Sequence, residues 1–405
     1  MPRNYDIAIV GGGFVGSTLA CALAASTHRI ALIERNPVST KNSTGRDQDE
    51  RNIALTCASK MIFEALGVWE QLDEYSVPIE KIHISDQGRF GAMRVDCRNH
   101  EADSLGYLVP AERLTQAIQS HMRHHKHVKR IQPYRVSNIQ SHEDKVTLYG
   151  EGAPIEAKLL IAADGTHSFI RNALGIPVEK KPYCQTAIIG NIGVTDHHPY
   201  TAFVRFTEQG PLVLLPRVDN CYGFVWTLED GVAQKHMALS EYEFLRQLQS
   251  AFGHRLGYFA RLRKRFSYPL SLQVSQRLVQ QRTVLVGNAA QTLHPVAAQG
   301  LNLALRDIAE LCEILYASQD ALDGVNDKLR VYESRRQPDI EGTVHLTDRL
   351  NYLFTTNNPV LARVRGVGLA LLGAIPVLEQ RIMQQSSGAF GSTARLLQGK
   401  ALQTS

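Results

Sequence analysis

The 405-residue sequence lacks several features that would assign it to a class at once. None of its six cysteines forms a C-x-x-C pair, so neither a zinc site nor a thioredoxin-type redox pair is indicated. Scattered cysteines are typical of reduced thiols in a cytosolic protein. No metal site is predicted at the histidine-rich stretch 121–130, because it has no carboxylate partners and alternates with lysine and arginine, as a solvated basic surface does.

Long apolar runs and concentrated charge are also missing. No segment reaches the roughly 18–20 apolar residues that span a bilayer, and the first residues lead directly into a predicted strand, which predicts no signal peptide. The net charge of +5 comes with no nucleic-acid-binding motif, so no such partner is predicted. We therefore expect a cytoplasmic globular protein, of two interleaved domains or of one large domain with an appended C-terminal part.

What is present begins with a glycine-rich turn. The stretch YDIAIVGGGFVGSTLACALAA predicts a buried strand, a turn and a small-residue helix, and RIALIER predicts a second strand. In such a βαβ unit, Gly11 permits the tight turn, Gly13 lets a diphosphate approach the backbone, and Gly16 lets helix and strand pack closely. The helix would begin at Phe14 and Val15, where free N–H groups attract the diphosphate.

An acidic residue follows this turn at the expected place. Glu34 ends the second strand, where a carboxylate accepts hydrogen bonds from both ribose hydroxyls of an adenosine and repels a 2′-phosphate. Arg35 beside it is included in the predicted nucleotide site. A glycine turn without a ligand is the alternative, but strand, helix and carboxylate together favour a dinucleotide. From these residues alone, FAD and NAD are equally compatible.

Two later stretches distinguish between these cofactors. LLIAADGTHSFIRNALGI (159–176) and VLVGNAAQTLHPVAAQGLNLALRDIAEL (284–311) match, in order and spacing, the second and third fingerprints of one family. With them, the chain resembles the class A flavoprotein aromatic hydroxylases, the group of para-hydroxybenzoate hydroxylase, and among these the ubiquinone-biosynthesis hydroxylases. The resemblance runs from residue 5 to about residue 390. It implies FAD as cofactor and NAD(P)H as co-substrate.

The resemblance implies a role for the first of these stretches. Asp164 and Gly165 fall in a motif that supports FAD and the passing NAD(P)H. Arg171 lies on the helix that follows, where an arginine suits a diphosphate or a carboxylate. A helix cap at Asp164 with a structural salt bridge is the alternative interpretation.

The second of these stretches departs from the family pattern at two positions. Asn288 stands where the family has an aspartate that holds the ribityl chain, so it can still bond hydroxyls but brings no charge. Ala298 replaces a glycine, and its methyl group narrows the approach of the backbone to flavin. The last residues open a long helix whose N-terminus should stabilise negative charge on the flavin. The implied cofactor contacts of this stretch are Gly287, Asn288, Pro295, Gly300, Leu301 and Asn302.

Two arginines and a histidine complete the implied site. Arg51 and Arg113 resemble family arginines near the flavin loop and the diphosphate, and an exposed arginine without a ligand is the alternative for each. Pro295 resembles the family proline beside the flavin ring. We place it with His294 as the catalytic pair, although a histidine that only packs or hydrogen-bonds is an equally good interpretation. No general base can be named from the sequence.

The implied reaction is hydroxylation of a polyprenylated phenol with NAD(P)H and O2, through a flavin hydroperoxide, in ubiquinone biosynthesis. The predicted substrate residues are apolar and can equally be core of the second domain, namely Phe206, Leu215 and Trp226. An FAD-linked dehydrogenase or oxidase without oxygen insertion is an alternative, and so is a flavin-bearing scaffold of a quinone-synthesis complex. Other ubiquinone-biosynthesis proteins are the corresponding partners.

The implied fold class is α/β, with a Rossmann-like FAD-binding domain of the para-hydroxybenzoate hydroxylase type. An antiparallel-sheet substrate domain interrupts it, and C-terminal helices follow. An apolar run at 367–378, after Arg363 and Arg365, predicts either peripheral contact with the inner membrane or helices packed on the nucleotide domain. The predicted parts are FAD-binding segments at 1–75, 106–180 and 283–345, a substrate-domain hairpin at 76–105, a substrate-binding sheet domain at 181–282 and a C-terminal helical region at 346–405.

Overall fold

The computed structural model describes residues 3–37, 51–88, 92–100, 102–218, 220–295, 298–316, 322–355 and 394–402. The strands, in chain order, are β1 (Arg3–Val10), β2 (Ile30–Ile33), β3 (Asn52–Leu55), β4 (Val77–Ile79), β5 (Lys81–Asp86), β6 (Ala92–Asp96), β7 (Gly106–Pro110), β8 (Val128–Ile131), β9 (Val136–Ser141), β10 (Val146–Gly150), β11 (Ile155–Ala162), β12 (Val178–Val194), β13 (Thr201–Thr207), β14 (Gly210–Pro216), β15 (Cys221–Glu229), β16 (Phe259–Ala260), β17 (Phe266–Ser275), β18 (Val279–Gln280), β19 (Thr283–Leu285) and β20 (Gln291–Thr292). The helices are α1 (Phe14–Leu23), α2 (Cys57–Ala65), α3 (Ala111–Met122), α4 (Phe169–Ala173), α5 (Asp230–Ala238), α6 (Glu241–Phe252), α7 (Gln299–Tyr316) and α8 (Val325–Thr355). This mixed architecture confirms the predicted fold class.

The first sheet carries the predicted βαβ unit. Its strand order is β18-β19-β11-β1-β2-β8, and the β9–β10 hairpin pairs with β11 through β10. β1 lies parallel to β2 and to β11, which in turn lies parallel to β19. Such strands are buried on both faces, which is why they consist of short apolar runs. The carboxyl ends of β1, β11 and β19 therefore meet at one edge of the sheet, at Val10, Ala162 and Leu285.

The second sheet is mostly antiparallel and is organised around the 17-residue strand β12. Its order is β20-β17-β12-β15-β14-β13-β5-β6, with β16 also paired to β12. Helices α5 and α6 pack on one face against β12, β13 and β15. Because side chains alternate along a strand, the other face presents a different set of residues, and these face the glycine-motif half of the molecule.

Smaller elements join the two sheets. β7 pairs with β3 and β4 in a three-stranded sheet, while α7 and α8 pack against each other. The turn at Arg395–Gln398 packs on α2 and α7, with Leu396 buried. Of the predicted C-terminal region, Arg363, Arg365 and the apolar run at 367–378 lie outside the described residues. No helix in the described ranges combines the length and apolarity needed to cross a membrane.

Candidate functional site: a nucleotide cradle and an adjoining cavity

The three motif glycines of the first turn differ in what surrounds them. Gly11 has φ +111°, and a Cβ there would collide with the Ala163 carbonyl oxygen. A Cβ on Gly16 would collide with the carbonyl oxygen of Gly11. On Gly13, by contrast, a Cβ would meet no atom of the described residues within 4 Å. The protein's own packing therefore requires the first and third glycines, whereas the second faces open space that a diphosphate can enter.

The N-terminus of α1 can bind an anion. Gly13 precedes the helix, no side chain of the described residues caps it, and its first turn contains no acidic residue. The first N–H groups of a helix have no intrahelical partner, and together with the helix dipole they attract negative charge. Phe14 and Val15, the first residues of the helix, are half-buried beside this opening.

Glu34 is fixed against the same turn. Its carboxylate accepts hydrogen bonds from the Gly12 N–H at 2.8 Å and from the Asn36 N–H at 2.9 Å. Each carboxylate oxygen keeps further acceptor capacity, so the group can also receive ribose hydroxyls. Arg35, in contrast, is exposed.

Asp164 brings the second motif beside the first. A Cβ on Gly11 would lie 3.0 Å from the Asp164 Cα, and Asp164 Oδ2 accepts the Ile170 N–H at 3.1 Å. Burial raises the pKa of this carboxyl group. Its Oδ1 is buried without a hydrogen-bond partner in the described part of the chain. An acceptor so placed suits a cofactor that carries hydroxyl groups, and the turn that follows needs Gly165, whose φ is +83°.

Arg171 ties the second motif to the third. It is only 2% exposed, and its guanidinium donates to the Ala289 carbonyl at 2.9 Å and to the Thr166 carbonyl at 2.9 Å. Two of its donors are therefore committed to the backbone. Burial lowers the pKa of this guanidinium and Asp164 opposes that shift. In this position Arg171 acts as a brace between the two motif loops.

The third motif lies against the start of α1. Together the glycine turn at 11–16, the turn at 164–165 and the loop at 287–288 form the nucleotide cradle. Gly287, with φ +57°, lies so near Val15 that a Cβ would be 3.0 Å from the valine side chain. Asn288 is exposed, with its Nδ2 3.5 Å from the hydroxyl of Thr166. The structure thus brings the three sequence motifs together, as a single dinucleotide site requires.

A buried carboxylate that the sequence analysis did not identify holds this loop. Asp307 is fully buried on α7, and its Oδ2 accepts the Gly287 N–H at 3.3 Å and the Gln291 amide at 2.7 Å. Its Oδ1 accepts from Arg336 Nε of α8 at 2.8 Å. Polar residues within an otherwise apolar helical pattern are the only sequence signal for such a clamp.

The start of α7 offers backbone groups rather than side chains. A Cβ on Gly300 would meet nothing within 4 Å in the described ranges, and the first turn of α7 contains no acidic residue. Leu301 is half-buried and packs against the core. The Asn302 amide accepts from Thr56 N–H and Ser59 Oγ and donates to the carbonyls of Ala54 and Ala298. Asn302 can therefore reach a cofactor only through its backbone. Ala298 takes φ +51°, the left-handed conformation that glycine adopts more easily.

A cavity of about 270 Å³ lies between the cradle and the second sheet. Its walls include Ile189, Leu215, Val225 and Phe266 from the sheet, and Arg51 and Pro295 from the other side. Among the predicted substrate residues, Leu215 lines this cavity. Trp226 instead lies on the helix-covered face, against His236 and Phe244, and Phe206 packs with Met93 and Val95. Because Trp226 follows Val225 directly, strand alternation turns it away from the cavity.

His294 lies behind the cavity wall rather than in it. It is fully buried, its Nε2 is 3.2 Å from Gln185 Oε1, and its ring meets Tyr183 edge-on at 4.9 Å. Burial lowers the pKa of this imidazole to about 4, although Asp348 opposes the shift. The ring is consequently neutral near neutral pH, and its neighbour Pro295 is the residue that borders the cavity.

The two predicted arginines have different surroundings. Arg51 lines the cavity, and its carbonyl accepts the Ala111 N–H at 2.9 Å. Arg113 is exposed in the first turn of α3, where its guanidinium stacks 4.1 Å from the Tyr75 ring centroid and donates to Gln116. Across the described ranges, no three His, Cys, Asp or Glu side chains cluster in a way that could hold a metal ion.

A dinucleotide cradle joined to an apolar cavity beneath a long antiparallel sheet defines the flavoprotein monooxygenase class. A family model described as "FAD binding domain" matches residues 4–347, and the chain belongs to this family. The predicted cofactor, FAD, is thereby confirmed.

Individual relatives narrow the assignment. Ubiquinone hydroxylase UbiL of Rhodospirillum rubrum is 33% identical over 389 residues, covering 95% of this chain and 90% of the relative. The 3-demethoxyubiquinol 3-hydroxylase of Escherichia coli is 28% identical, covering 95% and 98%. The p-nitrophenol 4-monooxygenase PnpA of Pseudomonas putida shares the fold, with a TM-score of 0.79 at 18% identity and coverage of 96% and 100%. The resemblance to the ubiquinone-biosynthesis hydroxylases is confirmed, and the protein is an FAD-dependent monooxygenase.

Proposed function

We propose that the protein hydroxylates the ring of a polyprenylated phenol in the ubiquinone pathway, with NAD(P)H and O2 as co-substrates. The cavity is the observation that supports this most. Of the described side chains that line it, only those of Arg51, Asn52 and Tyr268 are polar. Such a surface favours an apolar ring over a highly charged substrate.

The size of the cavity supports a binding mode in which only part of the substrate is enclosed. About 270 Å³ is below the roughly 300–1,000 Å³ of pockets that enclose drug-sized ligands. A phenol ring fits this space, but a polyprenyl chain does not. Tyr268 lines the cavity and is 40% exposed, so this lining residue also reaches the surface. We infer that the phenol ring occupies the cavity and that the polyprenyl chain extends out of it along Tyr268.

The residues of the protein would hold the cofactor, orient the loop beside the cavity and shield the cavity from water. FAD, when bound, supplies the activation of oxygen. The open side of Gly13 and the N–H groups of α1 would hold its diphosphate, and Glu34 the ribose. Asp164 Oδ1 would accept from a hydroxyl of the cofactor, while Pro295 and Leu215 exclude water from the cavity. His294, neutral and engaged with Gln185, orients the Pro295 loop.

The test uses purified, FAD-loaded protein with NAD(P)H, oxygen and a short-chain prenylphenol. We expect a product with one added oxygen, detected by mass spectrometry. Consumption of NAD(P)H that yields only peroxide would favour a dehydrogenase or oxidase. Flavin that NAD(P)H does not reduce, in a protein that co-purifies with other ubiquinone-biosynthesis enzymes, would favour the scaffold alternative.

We further propose a cytoplasmic location with peripheral contact at the inner membrane, because a polyprenyl substrate resides in lipid. Leu396 and Leu397 are buried in the core, so a truncation before them would damage the fold. Replacing apolar residues within 367–378 by serine avoids this problem. We expect weaker co-sedimentation with anionic liposomes, and unchanged co-sedimentation would contradict the proposal.

A further inference from the structure

One polar side chain of the cavity wall is held in a fixed orientation. Asn52 begins β3 and lines the cavity, and its Nδ2 donates to Asn191 Oδ1 at 2.8 Å. Asn191 is 2% exposed on β12. In this orientation the nitrogen end of the Asn52 amide is anchored, and Oδ1 is the end left to accept a hydrogen bond.

The remaining end of this amide has no partner in the part of the chain that the structure describes. Asn52 Oδ1 is buried without a hydrogen bond among the described residues. A buried polar atom without a hydrogen bond is uncommon and destabilises the folded protein. The neighbouring strand also accommodates the amide, since a Cβ on Gly223 would collide with Asn52 Nδ2. These features indicate an acceptor maintained for a ligand.

The other polar lining residues do not offer this chemistry. The guanidinium of Arg51 has donors only, and Tyr268 lies at the exposed end of the cavity. An amide oxygen accepts a hydrogen bond from O–H but repels an anionic oxygen. We propose that Asn52 Oδ1 accepts the phenolic O–H of the substrate, so that Asn52 selects protonated phenols and orients the ring. The identity of this ligand rests on the proposed function above.

The test compares a short-chain prenylphenol with its O-methyl ether, which has the same shape but no donor. Dissociation constants are measured on FAD-loaded protein from the change in the flavin absorption spectrum. We expect wild type to bind the phenol about tenfold more tightly, as one neutral hydrogen bond allows. In Asn52→Leu this preference should disappear. Ile53→Ala, on the same apolar wall, is the matched control and should weaken both ligands equally.

A second variant tests the orientation of the amide. Asn191→Leu removes the acceptor that anchors Asn52 and should reduce the preference for the phenol without changing affinity for the ether. This measurement also tests the role of Asn52 if Asn52→Leu fails to fold. Affinity for an acidic phenol such as 4-nitrophenol should fall as that phenol ionises, and more steeply in wild type than in Asn52→Leu.

Two results would overturn the assignment of Asn52. One is a full preference for the phenol in both Asn52→Leu and Asn191→Leu. The other is a loss of FAD affinity in Asn52→Leu with the preference intact, which would assign the acceptor to the cofactor. Wild type that forms no hydroxylated product contradicts the proposed function instead, so the two failures are distinguishable.

Discussion

The nucleotide cradle and the cavity are built in opposite ways. In the cradle, backbone atoms of the first two loops approach so closely that Gly11 and Gly16 have no room for a Cβ. In the cavity, a regular sheet face presents side chains such as Ile189 and Leu215. A cradle of backbone depends on a few residues that no others can replace. A wall of side chains tolerates substitution and can therefore be adapted to different rings.

Breaking the buried clamp of the cradle should have the largest effect. Asp307→Ala removes the carboxylate that holds Gly287 and Gln291 and leaves the buried Arg336 with Asp339 as its remaining carboxylate partner. Because two buried hydrogen bonds and one of these two ion pairs are lost, we expect the free energy of unfolding to fall by about 2–4 kcal/mol, measured by urea denaturation, with weaker FAD binding. The exposed pair Lys181–Asp348 is the control, and Lys181→Ala should cost less than about 1 kcal/mol. Equal losses in the two variants would show that Asp307 is not a clamp.

The glycines of the cradle should separate protein packing from ligand contact. Gly16→Ala places a methyl group against the Gly11 carbonyl, so we expect about 1–3 kcal/mol less stability in the apoprotein and weaker FAD binding. Gly13→Ala meets no described protein atom within 4 Å and should leave the stability of the apoprotein unchanged. It should nevertheless weaken FAD binding about tenfold, measured by titration of the apoprotein. A destabilised Gly13→Ala apoprotein would contradict this division.

His294, between the two regions, should make stability depend on pH. Burial lowers its pKa from 6.5 to about 4, so the unfolded chain binds a proton that the folded protein does not. The contribution is present above pH 6.5 and is lost as the pH falls towards 4. We expect it to reduce the free energy of unfolding by about 2 kcal/mol between about pH 7 and pH 5. In His294→Gln, the loss of stability between about pH 7 and pH 5 should be smaller by that amount. The similar contribution of His83, whose pKa is also lowered to about 4, should remain.

The two faces of the second sheet should give the smallest and sharpest contrast. Leu215→Ala enlarges the cavity and should raise KM for the prenylphenol a few-fold, because roughly 1 kcal/mol of apolar contact is lost. Trp226→Phe, on the helix-covered face, removes an indole N–H that has no partner in the described part of the chain. It should leave KM unchanged. A change in KM for Trp226→Phe and none for Leu215→Ala would place the substrate elsewhere.

The same contrast explains what the sequence could predict. Gly11, Gly13, Gly16 and Glu34 lie within one βαβ unit, where spacing reports local geometry directly. Alternation along β15 predicts two faces but does not say which one meets the cofactor, so Trp226 and Leu215 could not be separated.

The residues that sequence reasoning missed act over long separations. Asp307 binds Gly287, 20 residues away, and Asn52 binds Asn191, 139 residues away. Their one sequence signal is a polar residue in an apolar stretch, as Asn191 is in AIIGNIGV. Burial of that residue is visible only once the strands are paired.

The parallel pairing of β1 with β11 and of β11 with β19 has a consequence for synthesis. The glycine turn emerges from the ribosome first, yet the loop at Gly287 that closes around it follows β19, which ends at Leu285. An amino-terminal fragment therefore cannot retain the flavin, however complete its own motif. Nascent chains should acquire their yellow colour only after most of the polypeptide has been made.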